Sequence, residues 1–394
     1  MLNVSNSEGR DVLTSQPLAR VESVEVKLRL HILDSIRGWA AVVVLVFHVC
    51  QQMFTKTLPE FGPYWIPFFD GGFAVAIFFV LSGEALSHAY FVKKDLEVVR
   101  KLAIKRYVRL TIPIFASCLI VFLLMKANLV YFHEAVSVSG ASDLTKGFLQ
   151  FEPCLEKVLY FSFFGVYFQY TGEASYNPVL WSMSVELLGS VFVFLALFVT
   201  QTRAQRWVIF AYVAPFMALF APFFICFIFG MVFGELRVAG TFNRLSAHPA
   251  ANFLSILALS GVVIGLTIAP LLGLAHIGIA QRLSVGAVVF LFAIYSSNWL
   301  QLVFDNRFAH FLGELSFPIY LVHFPIIVSL ESYLVLRLFP DGIITRGPAY
   351  FIMLITLAAC LLTARAFLHV ERFAIKASNS FFTFLTAFQL PTSI

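Results

Sequence analysis

The chain has 394 residues, 60% hydrophobic and only 12% charged, with a formal net charge of +5. A water-facing fold needs about 25% charged residues to wet its surface, so a soluble domain is excluded, and no Walker loop, dinucleotide glycine motif, zinc-spaced CxxC or HExxH is present. The mean hydropathy of +0.86 comes from apolar runs long enough to cross a hydrocarbon core of roughly 30 Å, and the predicted fold class is all-α, a polytopic membrane protein with about ten transmembrane helices.

In chain order, residues 1–30 are polar and carry no apolar core of a signal peptide, so a cytoplasmic N-terminal tail is expected. The membrane domain is drawn over 31–375, with spans near 36–56, 67–90, 107–126, 179–200, 207–221, 222–236, 252–272, 283–303, 313–336 and 349–369. Residues 376–394 are expected as a cytoplasmic C-terminal tail. With both termini inside, 20 of the Lys and Arg residues face the cytoplasm and 7 the other side. That bias sets the orientation in the cell (inner) membrane. Pro215 and Pro222 interrupt the stretch from Trp207 to Leu236, which reads as two short helices in a hairpin. A single kinked helix there would reverse everything after it and weaken the bias to 17 against 10. The aromatic run Tyr160 to Tyr170 is too short to cross and reads as a re-entrant or interfacial piece within an external loop, 127–178. Cys50, Cys118, Cys226 and Cys360 lie in apolar runs and Cys154 in a polar loop. All five read as packing residues, and no spacing suggests a metal site.

Ionisable residues at membrane depth are costly unless paired or facing a polar cavity, so they mark candidate sites. Arg37 and His48 are eleven residues apart on the first span. At 100° per residue they share a face, separated by about 16 Å along the axis. Arg37 also fits a snorkelling arginine, and His48 a histidine bonded to a neighbouring helix. Ser182 and Glu186 share a face of the fourth span. If that helix starts at the outer boundary near Val179, Glu186 and His48 lie at similar depth and can meet, the carboxylate fixing the tautomer of the imidazole; a structural Glu–His pair reads equally. Ser82 and Gly83 lie mid-helix in the second span, where Gly83 permits close helix approach. Glu84 and His88 stand one turn apart beyond them. Ser316, Tyr320 and His323 line one face of the ninth span. Arg100, Lys101, Lys105, Arg106 and Arg109 form the densest basic cluster, suited to lipid phosphate or to the phosphates of a soluble cofactor.

Six motifs occur in register: Leu33-Asp-Ser-Ile-Arg37-Gly38 with its Arg-x10-His, Phe78-Phe-Val-Leu-Ser-Gly83, Arg106-Tyr-Val-Arg109 leading to Pro113, Trp181-Ser-Met-Ser-Val-Glu186, Leu312-Gly-Glu-Leu-Ser-Phe-Pro-Ile-Tyr320-Leu-Val-His323, and Glu371-Arg372. In this order the chain resembles the acyltransferase 3 family of integral-membrane O-acyltransferases, over about residues 30–375. The resemblance implies a ten-helix core that passes an acyl group, usually acetyl, from cytoplasmic acyl-CoA to a hydroxyl. In general texture the chain is similar to the rhizobial nodulation O-acetyltransferases.

On that resemblance, His48 is expected as base and Glu186 as its orienter or a sugar contact. Arg37, Arg106 and Arg109 would hold the acyl-CoA phosphates, and Ser82, Tyr320 and His323 would line the cavity. The expected activity is O-acetyl transfer from acetyl-CoA, as a donor substrate rather than a bound cofactor, to a carbohydrate or glycolipid acceptor. Membrane lipids are the other expected partners, and nucleic acid is not one. Glu84 departs from the family, where the residue after the Ser-Gly pair is commonly apolar; it either alters the donor tunnel or pairs with His88. A proton-coupled transporter using the buried His and Glu as a relay is the alternative.

Overall fold

A computed structural model describes residues 15–54, 58, 69–139, 147–268, 272–273 and 278–387, with side chains in the first helix described from His31 except Gln51 and Gln52. Among them every regular element is helical and no strand occurs, as a chain must arrange itself where no water satisfies its backbone. Residues 1–14 of the expected tail lie outside the described residues. Ser15 to His31, also expected as tail or its border, already belongs to α1 (Ser15–Phe54).

The next helices are α2 (Gly71–Lys93), α3 (Leu96–Lys126) and the short α4 (Phe132–Ser139). Asp70 starts α2 by accepting from Phe73 N at 2.8 Å, which satisfies one of the orphan donors of a helix start. Beyond them lie α5 (Leu155–Tyr160), a π-turn (Phe161–Gly165), α6 (Val166–Phe168), a 3-10 turn (Pro178–Trp181) and α7 (Ser182–Val199). The hairpin predicted over 207–236 is present as α8 (Arg203–Phe220) and α9 (Pro222–Val238), broken at Ala221. Arg206 at the start of α8 reaches Glu235 at the end of α9 at 2.7 Å, so the two helices run antiparallel.

The remaining elements are α10 (Thr241–Ser246), α11 (Ala251–Val263) with a π-turn (Ile264–Ile268), α12 (Ile279–Tyr295), α13 (Asn298–Phe304), α14 (Arg307–Ile326) with a π-turn (Ile327–Glu331), α15 (Ser332–Leu338) and α16 (Arg346–Ala387). Of the expected spans, 36–56, 67–90 and 252–272 run in part beyond the described residues. Seven helical segments among the described residues are long and apolar enough to span a bilayer, and eight if α12 and α13, which meet at 103°, form one broken span. The other two drawn spans are α8 and α9. Their 18 and 17 residues reach only about 25 to 27 Å, and α8 opens on a polar turn. Among the described residues seven or eight of the ten drawn spans are thus confirmed as long enough to cross, and the drawn span 283–303 is interrupted between Tyr295 and Asn298. Residues 376–387, expected as tail, continue α16 instead and pack along α3, with Lys105 bonded to Asn379.

Two glycine crossings position the site. A Cβ on Gly313 would fall 2.5 Å from Asp34 O, and one on Gly38 would strike the Gly313 backbone, so α1 and α14 touch backbone to backbone. The expectation that Gly83 permits close approach holds: a Cβ there would lie 2.5 Å from Phe227 O of α9. In a bilayer, where lipid competes with apolar side chains, such small-residue contacts are a main source of helix affinity.

The aromatic segment enters and returns beside α3. Cys154 and Tyr176, at its two ends, are bonded to each other, with Tyr176 OH accepting from Cys154 N at 3.1 Å and donating to its carbonyl at 2.9 Å. Its turn reaches the other way along α3, where Tyr107 OH donates to Phe163 O and Thr111 meets Tyr167 at 2.9 Å. The return is tied down by Asn177, which donates to Ser117 Oγ at 2.9 Å and to Leu321 O at 3.2 Å. In consequence α7 starts alongside the middle of α3.

Candidate active site

A cavity of about 570 Å³ opens among α1, α2, α3, α7, α14 and α16. Its length can be followed along α14. At one end lie His31 and His310; next come Asp34, Arg37, Arg106, Arg109, Glu186, Glu314, Glu371 and Ser82; at the far end are Val75, Phe78, Ser182, Ser316 and Tyr320.

The central layer is held by charge. Glu186 forms an ion pair with Arg106 and accepts from Ser82 Oγ at 2.6 Å. Arg106 Nε donates to Ser190 Oγ at 2.9 Å, one turn further along α7. Both charged side chains are largely buried, at 17% and 10% exposure, where an ion pair persists only with its remaining donors and acceptors satisfied. Arg37 donates to Leu81 O at 3.5 Å and stands 3.9 Å from Asp34. The cavity wall thus carries three arginines against four carboxylates, Asp34, Glu186, Glu314 and Glu371.

His48 does not meet Glu186. Arg37, at the level of Ser82 and Glu186, is about 16 Å away from His48 along α1, because α7 begins inside the bundle rather than at its outer boundary. The imidazole beside His48 is His323, with ring centroids 5.1 Å apart and planes at 31°, and the Phe47 ring meets His48 edge-on at the same distance. Neither imidazole lines the cavity. They stand just past its inner end, His323 lying one turn beyond Tyr320 with ring centroids 6.0 Å apart. The Nδ1 of His323 is 3.0 Å from Ile319 O. A carbonyl only accepts, so this nitrogen carries the proton and Nε2 offers a lone pair; Nε2 is buried and meets no hydrogen-bond partner among the described residues. Tyr320 OH donates to Val179 O and meets Ser182 Oγ at 2.7 Å, so the inner end of the cavity already carries oriented hydroxyls.

The arrangement therefore gathers Arg37, Ser82, Arg106, Arg109, Glu186 and Tyr320 around one cavity and leaves His48 and His323 together beside its end. Glu84 takes no part in the lining. It is fully buried, accepts from Arg237 Nε at 2.5 Å and from Tyr295 OH at 2.8 Å, and does not pair with His88, whose two ring nitrogens are buried and meet no hydrogen-bond partner among the described residues. Sequence reasoning missed His31, His310, Glu314 and Glu371 as cavity residues. His310 is set by Ser35 Oγ at 3.0 Å and Asp305 at 2.9 Å, contacts that no local spacing announces; Glu314 and Glu371 lay inside motifs whose function was read from their neighbours.

An all-helical membrane bundle enclosing a polar cavity with fixed hydroxyls, a buried arginine–carboxylate layer and adjacent imidazoles has the parts for group transfer at membrane depth. Residues 30–365 match the family described as an acyltransferase domain, acyltransferase 3. The match covers well over half of the chain, and the protein belongs to that family as a multi-pass membrane acyltransferase. No curated protein matches the chain, and no solved structure does.

Proposed function

We propose that the protein is a membrane O-acetyltransferase that moves an acetyl group from cytoplasmic acetyl-CoA to a hydroxyl of a carbohydrate, such as an exopolysaccharide, lipopolysaccharide or lipo-chitooligosaccharide. The observation that carries this reading is the cavity itself. It runs from an arginine layer to the Tyr320 and Ser182 hydroxyls, and ends beside the His48–His323 pair. The distance of about 16 Å along α1 between Arg37 and His48 suits a donor whose phosphates stay near the mouth while its thioester reaches inward.

In this reading the acceptor hydroxyl oxygen attacks the thioester carbonyl carbon, His48 takes the hydroxyl proton, and the C–S bond breaks. The departing thiolate then receives the proton and leaves as the free thiol. The Tyr320 and Ser182 hydroxyls, whose protons are engaged by Val179 O and by the contact between them, turn to the developing oxyanion when the donor enters. Because Glu186 is engaged with Arg106 and Ser82, its role is to hold the arginine layer in place and not to orient His48. That separation also counts against a His–Glu proton relay, which needs the two groups in exchange.

The test is transfer of labelled acetyl from acetyl-CoA to the glycan and membrane fractions by cells or purified protein. Parent protein should label an acceptor. His48→Ala, inserting to the same level, should abolish labelling, and near-normal turnover in that variant would end the role of His48 as base.

A further inference from the structure

A second cavity, of about 320 Å³, lies on the far side of Arg109 and Ile375, residues that also line the first. Lys101, Lys105 and Arg109 follow one another at i, i+4 and i+8 and so form a single stripe of α3. Lys93 joins them from the end of α2, while Ser378 and Asn379 of α16 close the opposite wall. Among the described residues no carboxylate lines this space. The partners of its lysines are neutral: Lys105 is bonded to Asn379 Oδ1, and the Phe382 ring lies 5.7 Å from Lys101 Nζ and 5.3 Å from Lys105 Nζ.

The two cavities differ in their balance of charge. In the first, the arginines are matched by carboxylates, and Arg106 is consumed by Glu186. It cannot neutralise a polyanion without losing that pairing. In the second, Lys93, Lys101 and Lys105 converge beside Arg109 with no carboxylate in the wall; Glu371, across Arg109 in the first cavity, offsets that arginine, and the three lysines repel one another until an anion enters. The wall also offers Leu102 and Ile375 as apolar surface and the Ser378 and Asn379 side chains as polar edges, which together suit a phosphorylated heterocycle better than a bare ion.

We infer that this second cavity binds the phosphorylated nucleotide end of the acyl-CoA donor, with Lys101 and Lys105 as phosphate ligands and the last turns of α16 as the opposite wall. The inference rests on the donor proposed above. It assigns a binding role to residues 366–387, which lie outside the matched family region, and transfers the main phosphate contact from Arg37 and Arg106 to the lysines. Arg109, shared by both spaces, stands where the nucleotide passes into the pantetheine arm.

The experiment uses the full-length protein in phosphatidylcholine nanodiscs. Adenosine 3′,5′-bisphosphate, the nucleotide end of the donor, is titrated calorimetrically, and transfer is measured with acetyl-CoA, its 3′-dephospho form and acetylpantetheine. In the double variant Lys101→Ala, Lys105→Gln, binding of the bisphosphate and KM for acetyl-CoA should each worsen at least tenfold. Its kcat and its use of acetylpantetheine should stay within twofold of the parent. Asn379→Ala should weaken bisphosphate binding in the same direction without changing acetylpantetheine use. If the double variant transfers from acetyl-CoA with an unchanged KM, the cavity is not the nucleotide site although the donor reading stands. If phosphatidylglycerol in the nanodisc displaces the bisphosphate from the parent and the variant loses only retained lipid, the occupant is a lipid headgroup and the inference is overturned. If the parent does not use acetyl-CoA at all, the donor reading fails and this inference fails with it.

Discussion

Replacing Glu186 by Gln isolates the charge that organises the cavity. The amide keeps the size of the side chain and can still accept from Ser82 Oγ, now 2.6 Å from the carboxylate, but it leaves the Arg106 guanidinium without a counter-charge at 17% exposure. Two unit charges 4 Å apart interact by about 4 kcal/mol at an effective dielectric constant of 20. Most of that is offset by desolvation when the pair forms, yet breaking a buried pair by removing one partner costs about 3 to 5 kcal/mol because the other charge stays behind. The residual hydrogen bonds of the amide reduce this, so Glu186→Gln should lose about 2 to 3 kcal/mol of stability and Glu186→Ala more. Turnover should fall at least tenfold, equivalent to about 1.4 kcal/mol. The decisive measurement is a double-mutant cycle with Arg106→Gln, following unfolding in detergent. Removing both charges should be less damaging than the sum of the single losses, by about 1 to 3 kcal/mol. Strict additivity, or a Glu186→Gln protein with parental stability and rate, would refute the claim that this pair holds the layer.

Three further outcomes follow from the same structure. In a background cleared of native cysteines, Lys94→Cys should resist an impermeant thiol reagent in intact cells while Asp341→Cys, in the exposed turn before α16, reacts; reversed labelling would overturn the proposed orientation. Gly313→Val should fail to accumulate, since its Cβ would fall 2.5 Å from the Asp34 carbonyl, whereas Gly261→Ala meets nothing within 4 Å and should be neutral or stabilising by up to about 1 kcal/mol. Tyr320→Phe, which removes the donor to Val179 O and the partner of Ser182, should lower kcat more than it raises KM, and the opposite split in steady-state kinetics would place Tyr320 in ground-state binding.

Much of the fold was legible because a bilayer leaves so few options. A run of apolar residues long enough to cross has to be a helix, and the two prolines at 215 and 222, with the charge bias on either side, were enough to resolve α8 and α9 as a hairpin. Gly83 announced a close approach because a small residue between large ones on a membrane helix has little other use. The depth of α7 was not legible. Nothing near Val179 distinguishes a helix that starts at the boundary from one that starts inside. The difference is made by Asn177 reaching Ser117 and Leu321, residues distant in sequence, and it moves Glu186 from the level of His48 to the level of Arg106. Glu84 failed for the same reason: the nearest ionisable residue along its helix was His88, but its partners Arg237 and Tyr295 come from α9 and α12.

The site teaches a narrower point about reading charge. From sequence, each arginine of a basic motif near a membrane is a candidate phosphate ligand, because spacing shows the cation and hides its partner. In the fold Arg106 is spent on Glu186, and Arg37 stands 3.9 Å from Asp34, so the motif residues supply less free positive charge than their number suggests. Lys101 and Lys105 belong to no quoted motif, yet they face neutral groups, and a phosphate gains most where no carboxylate competes for the cation. The residues that make the first cavity rigid and those best placed to attract a polyanion are thus different residues, separated by Arg109. With the donor proposed above, such a division would let the ion pair at Glu186 stay closed while that donor comes and goes, since binding energy drawn from the lysine side need not be returned in breaking the layer around the proposed reacting end.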